Sequence, residues 1–362
     1  MPCTAFFNGL LGRDKECAKV MRFPRYLVLS FVLSLSRDLS FAAAYANDQS
    51  AQNASAMASS ADPLAVLVRQ VRKEPEAYTY SQLALAVARE LYPDLRDAEA
   101  AAFEKELDRL SEKLKATLQN PSGGREVVER VNKLLFVEVG LQTPRQTAAG
   151  KENPDHYFPH TVLARKQGVC LGLCLVYLAL TERAGLPFRA AHAAQHIYMR
   201  YDEGPHQINI ETTAGGRSFD VTTAPGYQQL SQDALHGKTY FRALGKLEVL
   251  ADLLNAAAWC SAVGTAPKPL APARALLAAR LCVELGPDDY SNWDTLSRAE
   301  LYAGAPHQAH RSLQKALGMQ PPDVGAYDRT YWEGRLQETR AALAKKIPPP
   351  GDLPIAAPPG PP

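Results

Sequence analysis

The sequence predicts an α+β protein: an N-terminal helical region and a mixed helix–sheet core, followed by an all-α block of repeated helices. Three observations carry this. The run from Cys170 to Leu180 is apolar nearly all round, the signature of a buried helix. Two alternating β-type stretches, near 196–201 and 206–212, flank Asp202-Glu203-Gly204-Pro205, a turn composition. Beyond them, Trp259 and Trp293 lie 34 residues apart, as do Pro287 and Pro321.

Composition bounds the rest. The chain has 362 residues, 40 basic and 38 acidic side chains for a net charge of +2, 46% hydrophobic residues and six cysteines. That length suits two compact domains plus accessory segments, and nearly half the residues being apolar argues against wholesale disorder. A charge of +2 gives little pull on nucleic acid or an acidic membrane surface, so neither is expected as a partner. Six cysteines are too few for a disulfide-stapled miniature scaffold.

Residues 1–46 read as a signal-peptide region. Tyr26 to Ser36 is apolar and follows Arg22 and Arg25, and Ala44-Tyr45-Ala46 fits a cleavage site before Asn47. Its length of about 11 residues is too short for a membrane span, which needs roughly 20. Starting at Met21 instead of Met1 gives a shorter basic lead. The expectation is export to the periplasm or cell envelope, with a cytoplasmic location if the segment is not a signal. Residues 47–61 are small and polar, a flexible linker. The Pro-rich stretch 346–362 is expected to be an unpacked tail.

Between these ends, Leu64–Leu118 is helical in pattern. A stripe including Leu83, Leu85, Val87 and Leu91 ends at Tyr92-Pro93, and a second helix runs from Asp97 to Leu118 with Phe103, Leu107, Leu110 and Leu114 at spacings of three and four. A third, about Glu126–Val139, buries Val127, Val131, Leu134 and Leu135. Residues 140–165 show no sustained period. The apolar helix then opens at Cys170 and ends near Gly185-Leu186-Pro187.

Three residues form a candidate catalytic set. Cys170 sits in the first turn of the buried helix, where free N–H groups and the aligned peptide dipoles favour a thiolate and can hold an oxyanion. With the hairpin turn centred between Glu203 and Gly204, His196 faces Glu211, Tyr198 faces Asn209 and Arg200 faces Gln207, while Ile197 and Met199 face Ile210 and Ile208. That apolar/polar division supports the pairing. His196 is then the base for Cys170, and Glu211 orients its imidazole. Asn209 either supports the triad or lines the sheet. His192 shares the parity of His196 and is the rival base; Asp220 is the rival acid; Cys174, one turn along, is a core residue.

The run Gly168-Val169-Cys170-Leu171-Gly172-Leu173-Cys174-Leu175 with Glu182-Arg183-Ala184-Gly185-Leu186-Pro187 resembles the SirB-type branch of the transglutaminase-like superfamily. Gln195-His196-Ile197-Tyr198-Met199-Arg200-Tyr201 is similar to that branch's Pro-Gly-His-Phe strand, with Ala194-Gln195 in place of Pro-Gly. Val131-Asn132-Lys133-Leu134-Leu135-Phe136 and Asn209-Ile210-Glu211-Thr212-Thr213 match as well, and the acid is Glu where transglutaminases usually carry Asp. The resemblance implies a papain-like α+β core over about 62–235 with a Cys-His-acid triad, although some members lack the cysteine.

The 34-residue spacing resembles the tetratricopeptide repeat. Trp293, Leu296, Ser297, Gly304, Ala309, Leu313, Ala316 and Pro321 hold consensus positions, with Glu300 replacing the usual aromatic. Trp259, Ala275, Ala279 and Pro287 keep the preceding copy, and Arg329–Leu343 supplies a cap. The block, 244–345, implies a protein or peptide partner. Two copies with a cap are short for a free solenoid, so it is expected to rest on the preceding domain.

Two functions remain open. One is a cysteine hydrolase or acyltransferase acting on an amide or ester; the other is a non-catalytic scaffold with an interaction module. No metal or organic cofactor is expected. His156 and His160 have zinc-protease spacing, but Pro159 lies between them and no Glu follows His156. Cys260 and Cys282 fall on neighbouring helices where a bridge is conceivable in an oxidising compartment.

Overall fold

The structure, a computed structural model, describes residues 62–92, 94–144, 154–203, 206–223, 227, 240–266, 268–319 and 329–345. The expected leader 1–46, the linker 47–61 and the tail 346–362 lie outside the described residues. Among the described residues the chain is mostly helical, with one antiparallel sheet. No described helix is long and apolar enough to cross a membrane.

The N-terminal helices are set by their caps. Helix α1 (Pro63–Lys73) has Pro at its start and Asp62 Oδ1 accepting from the Leu64 N–H at 2.9 Å. Helix α2 (Tyr80–Leu91) begins with a reciprocal Thr79–Gln82 capping box. Helix α3 is Asp97–Thr117, and α4 (Gly124–Asn132) continues into a π-helical turn, Lys133–Glu138. Between them, the spacings read from the sequence bury Phe103, Leu107, Leu110, Leu114, Val127 and Val131.

Within the stretch that lacks periodicity, Pro159 opens a short helix, α5 (Pro159–Arg165), while His156 ends a separate 3-10 turn, Pro154–His156. The two histidines therefore do not share a helix face. Helix α6 (Cys170–Arg183) is buried from Cys170 through Thr181 and turns off at Gly185, whose φ is 73°.

The sheet has order β1-β2-β3-β4: β1 Phe188–Ala193, β2 His196–Glu203, β3 His206–Glu211 and β4 Arg217–Phe219. Here the register expected from the turn needs correction. Met199 faces Ile210, Arg200 faces Asn209 and Tyr201 faces Ile208, a shift of two from the expected pairing. A two-residue shift preserves parity, so the assignment of faces survives although the partners change. Ile197, Met199, Tyr201 and Ile210 join the core shared with α6. The other face is covered too: Tyr198 is fully buried and Arg200 nearly so.

The C-terminal helices are α7 (Lys246–Ala262), α8 (Pro272–Leu285), α9 (Tyr290–Tyr302), α10 (Pro306–Gly318) and α11 (Arg329–Ala344). Neighbours in sequence pack on one another, with Ala275, Ala278 and Ala279 of α8 and Ala299 of α9 fully buried, letting backbones approach closely. Glu300, standing where the repeat pattern carries an aromatic, accepts from Ser312 Oγ at 2.7 Å. Neither Cys260 nor Cys282 is in a disulfide, so the bridge between them does not form.

This block is welded to the preceding elements. One apolar core runs continuously from Leu64 of α1 to Ala299 of α9. Lys246 Nζ, nearly buried, meets Glu182 at 3.0 Å and Glu76 at 3.2 Å. Arg274 pairs with Asp62 at 2.5 Å and Glu90 at 3.2 Å.

Candidate functional site

Cys170 is the first residue of α6, and Gly172 explains how it is held there. A side chain at Gly172 would lie 2.1 Å from the His156 carbonyl oxygen, and that same oxygen accepts from the Val169 N–H at 3.1 Å. Glycine thus lets the helix start dock against the 3-10 turn. One turn further, the Cys174 thiol donates toward the Ile197 carbonyl at 3.7 Å and lies 3.5 Å from Thr212 Oγ1. Those partners are the chain neighbours of His196 and Glu211, so α6 is seated over the ends of β2 and β3. Burial drives the Cys174 thiol pKa up, which suits a core residue and not a nucleophile.

His196 Nε2 and Glu211 Oε2 are hydrogen-bonded at 2.6 Å, with both side chains fully buried. They are not directly opposed, as the expected pairing had it; the hydrogen bond crosses the ribbon diagonally. Glu211 Oε1 also accepts from the Thr213 N–H at 2.8 Å and from the Thr213 hydroxyl. Burial works to raise the Glu211 carboxyl, but the His196 imidazole and the two Thr213 donors together hold it below the usual carboxylate value. With Nε2 committed to the acid, the imidazole acts on any nucleophile through Nδ1.

Cys170 and His196 line one cavity of about 630 Å³, counted with its mouth. Cys170 is only 3% exposed and is joined in a disulfide. Thiol chemistry at Cys170 therefore begins from the reduced form.

The remaining candidates separate cleanly. Asn209 Oδ1 accepts from Arg200 Nε at 3.0 Å, and Arg200 also donates to Tyr198 Oη and the Phe241 carbonyl. Asn209 thus braces a buried arginine and does not reach the His196–Glu211 pair as an orienting group. Asp220 is exposed and caps its own turn, accepting from the Thr222 N–H and hydroxyl, each at 2.9 Å.

His192 lines the same cavity but is paired with Asp252 of α7, 2.9 Å away. Burial opposes a charge on His192; the Asp252 carboxylate, helped by Asp289 and Glu248, outweighs it and lifts the imidazole to about 9. Burial, and after it the Asp289 and Glu248 carboxylates, push Asp252 upward as well, against the pull of His192. Asp252, Trp259 and Tyr290 line the same cavity. Sequence reading missed all three as site residues, because no local pattern links Asp252 to a histidine 60 positions earlier. Among the described residues no group of three or more His, Cys, Asp or Glu side chains is arranged to hold a metal ion.

The order Cys, His, acid on a buried helix and an antiparallel sheet is accompanied by a family match: residues 101–255 fit the transglutaminase-like superfamily. This segment is a transglutaminase-like domain. The match runs from α3 through the whole sheet and into α7 as far as Asn255, so it contains Cys170, His196, Glu211 and the His192–Asp252 pair. A crystal structure of menin, described as revealing the binding site for the Mixed Lineage Leukemia (MLL) protein, is similar over 78% of this chain and 68% of its own, at 13% identity and a TM-score of 0.48. No curated protein matches the chain.

Within the transglutaminase-like domain, the upstream Asn132 acts as a strut. Its Nδ2 donates to the Gly216 carbonyl at 2.7 Å and its Oδ1 accepts from Tyr177 Oη at 3.1 Å, tying α4 to α6 and to the turn before β4. Gly216 has φ 84°, and a side chain there would collide with Asn132.

Proposed function

We propose that the transglutaminase-like domain, read as a SirB-type member, is a cysteine acyl-transfer enzyme or hydrolase acting on an amide or ester carbonyl. The carrying observation is that Cys170, at the N-terminus of α6, shares a cavity with an imidazole whose Nε2 is bound to a buried carboxylate. The Cys170 thiol gives its proton to His196 Nδ1 as sulfur attacks the carbonyl carbon. Free N–H groups of the first α6 turn receive the oxyanion. The intermediate collapses to a thioester as His196 returns the proton to the departing amine or alcohol. Water or an amine then attacks the thioester, releasing an acid or a new amide and restoring the thiol. Glu211 fixes the imidazole and stabilises its charged form.

Export rests on the apolar run Tyr26–Ser36 and the Ala44-Tyr45-Ala46 cleavage pattern. Cleavage before Asn47 removes Cys3 and Cys17 from the mature chain. The C-terminal helices are read as a tetratricopeptide-type block offering a protein or peptide surface, supported by the buried alanines that pair α8 with its neighbours.

The near-complete burial of Cys170 favours a second reading, in which the domain is an inactive scaffold and the helices alone carry the function. The decisive experiment treats the reduced chain with a chromogenic acetyl ester. A release burst with one acetyl group recovered on the Cys170 peptide, absent in Cys170→Ala, supports catalysis. No burst and no acetyl adduct leaves the scaffold.

A further inference from the structure

We infer that Tyr290 is a positioning residue for His196, acting through the Ala194–Gln195 turn, so that helix α9 completes the site instead of merely flanking it. This rests on reading His196 as the base.

Ala193 pairs with His196, so only Ala194 and Gln195 link β1 to β2, and whatever fixes that turn fixes the backbone from which the imidazole projects. The turn is fixed from outside the sheet. Ala194, 3% exposed, belongs to an apolar cluster with Tyr240, Tyr290, Leu313, Ala316 and Trp332, distinct from the cluster that holds Ala191, Ala193 and Tyr198. Gln195 adopts a left-handed φ of 59°, a strained conformation for a residue with a side chain. Its side chain lines the same cavity as the side chains of Tyr290 and Tyr240 and interacts electrostatically with Tyr290.

Tyr290 is itself immobilised as the first residue of α9, directly after Asp289, whose side chain caps the helix by accepting from the Ser291 N–H at 2.8 Å. The contact thus runs from a rigid helix start to the residue beside His196. The imidazole is then held at two ends: by Glu211 at Nε2 and by the gripped turn at its Cα. Misplacing a reacting group by about 1 Å can lower a rate on the order of 100-fold. The residues being gripped, Ala194 and Gln195, are those that stand where the resembled branch carries Pro-Gly.

The test uses the full-length chain after reduction with a thiol. Iodoacetamide labelling of Cys170 is followed by peptide mass spectrometry from pH 5 to 9, with buried Cys174 as the internal reference. Tyr290→Phe, which removes only a hydroxyl, is expected to slow Cys170 labelling roughly tenfold near neutral pH and to move its pH midpoint upward. Gln195→Ala should do the same, and the double variant should be no slower than either single one. Tyr302→Phe, which deletes a hydroxyl bonded to the Leu270 carbonyl in the same block, should leave the profile unchanged. If His196→Ala slows labelling but Tyr290→Phe and Gln195→Ala do not, the positioning role is overturned and the base reading stands. Additive losses, or an equal loss in Tyr302→Phe, also overturn it. If His196→Ala itself has no effect, both readings fall.

Discussion

His196 and Glu211 are joined across a diagonal of the sheet: β2 and β3 pair so that Arg200 faces Asn209, yet the imidazole and carboxylate meet at 2.6 Å. Diagonal neighbours on a strand pair have Cα atoms about 7–8 Å apart, farther than directly opposed ones. The extra methylene of glutamate gives the reach. Glu211→Asp therefore retains the charge but loses the contact, and it should slow Cys170 alkylation about tenfold, close to the effect of Glu211→Ala. Glu211→Gln, which keeps the length, should retain more. Equal rates for the Asp variant and the parent would mean the carboxylate does not orient the base.

Gly172 is required by packing, because an added methyl group meets the backbone carbonyl of His156 as well as the Val162 side chain. Gly172→Ala should destabilise the chain by about 2–3 kcal/mol despite alanine's better helix propensity. A urea midpoint that rises or stays unchanged would show that the 3-10 turn Pro154–His156 yields freely.

The His192–Asp252 pair predicts a pH dependence of stability. Folding raises the His192 pKa to about 9, above its unfolded value near 6.5. Its contribution is thus complete below about pH 6.5 and is lost as pH rises through 9. Denaturant unfolding should show roughly 2–3 kcal/mol less stability at pH 10 than at pH 6 from this group, and His192→Gln should flatten that part of the profile. A parent and variant with parallel profiles would contradict the assignment.

Arg335 of α11 is buried against Asp294 of α9 at 2.9 Å, donates to Ser297 Oγ at 3.1 Å, and shares Asp294 with Tyr331. Removing Asp294 leaves the buried Arg335 with the half-exposed Glu338 as its remaining counter-charge, so Asp294→Ala should lose about 3 kcal/mol. Glu106→Ala, which breaks the exposed pair with Arg109, should lose less than about 1 kcal/mol. Calorimetric melting of the two variants separates them; similar shifts would mean that α11 does not depend on its buried ion pair.

What the sequence made legible follows from what each signal constrains. The start of α6 at Cys170 and the spacings of α2 and α3 were readable because apolar periodicity acts within a single element. Strand parity placed His196 and Glu211 on one face but left the register undetermined by multiples of two, and the turn was centred one residue too early. Strand β1 went unassigned: Phe188-Arg189-Ala190-Ala191-His192-Ala193 lacks the β-branched residues that mark a strand, and its alanines are chosen for close packing. The Arg200 contact of Asn209 was not foreseen because Arg200 was placed one pair away. The contribution of α7 and α9 to the cavity had no local trace at all, since Asp252 and Tyr290 meet the sheet only through tertiary packing.

The central claim is that the imidazole of His196 activates the sulfur of Cys170. The most direct measurement is the alkylation rate of reduced Cys170 at pH 7 in the parent and in His196→Ala, each relative to Cys174. The account predicts Cys170 labelling at least tenfold faster than Cys174 in the parent, with that advantage gone in the variant. Slow and equal labelling of both cysteines in the parent, or a Cys170 advantage that survives loss of the imidazole, would contradict it.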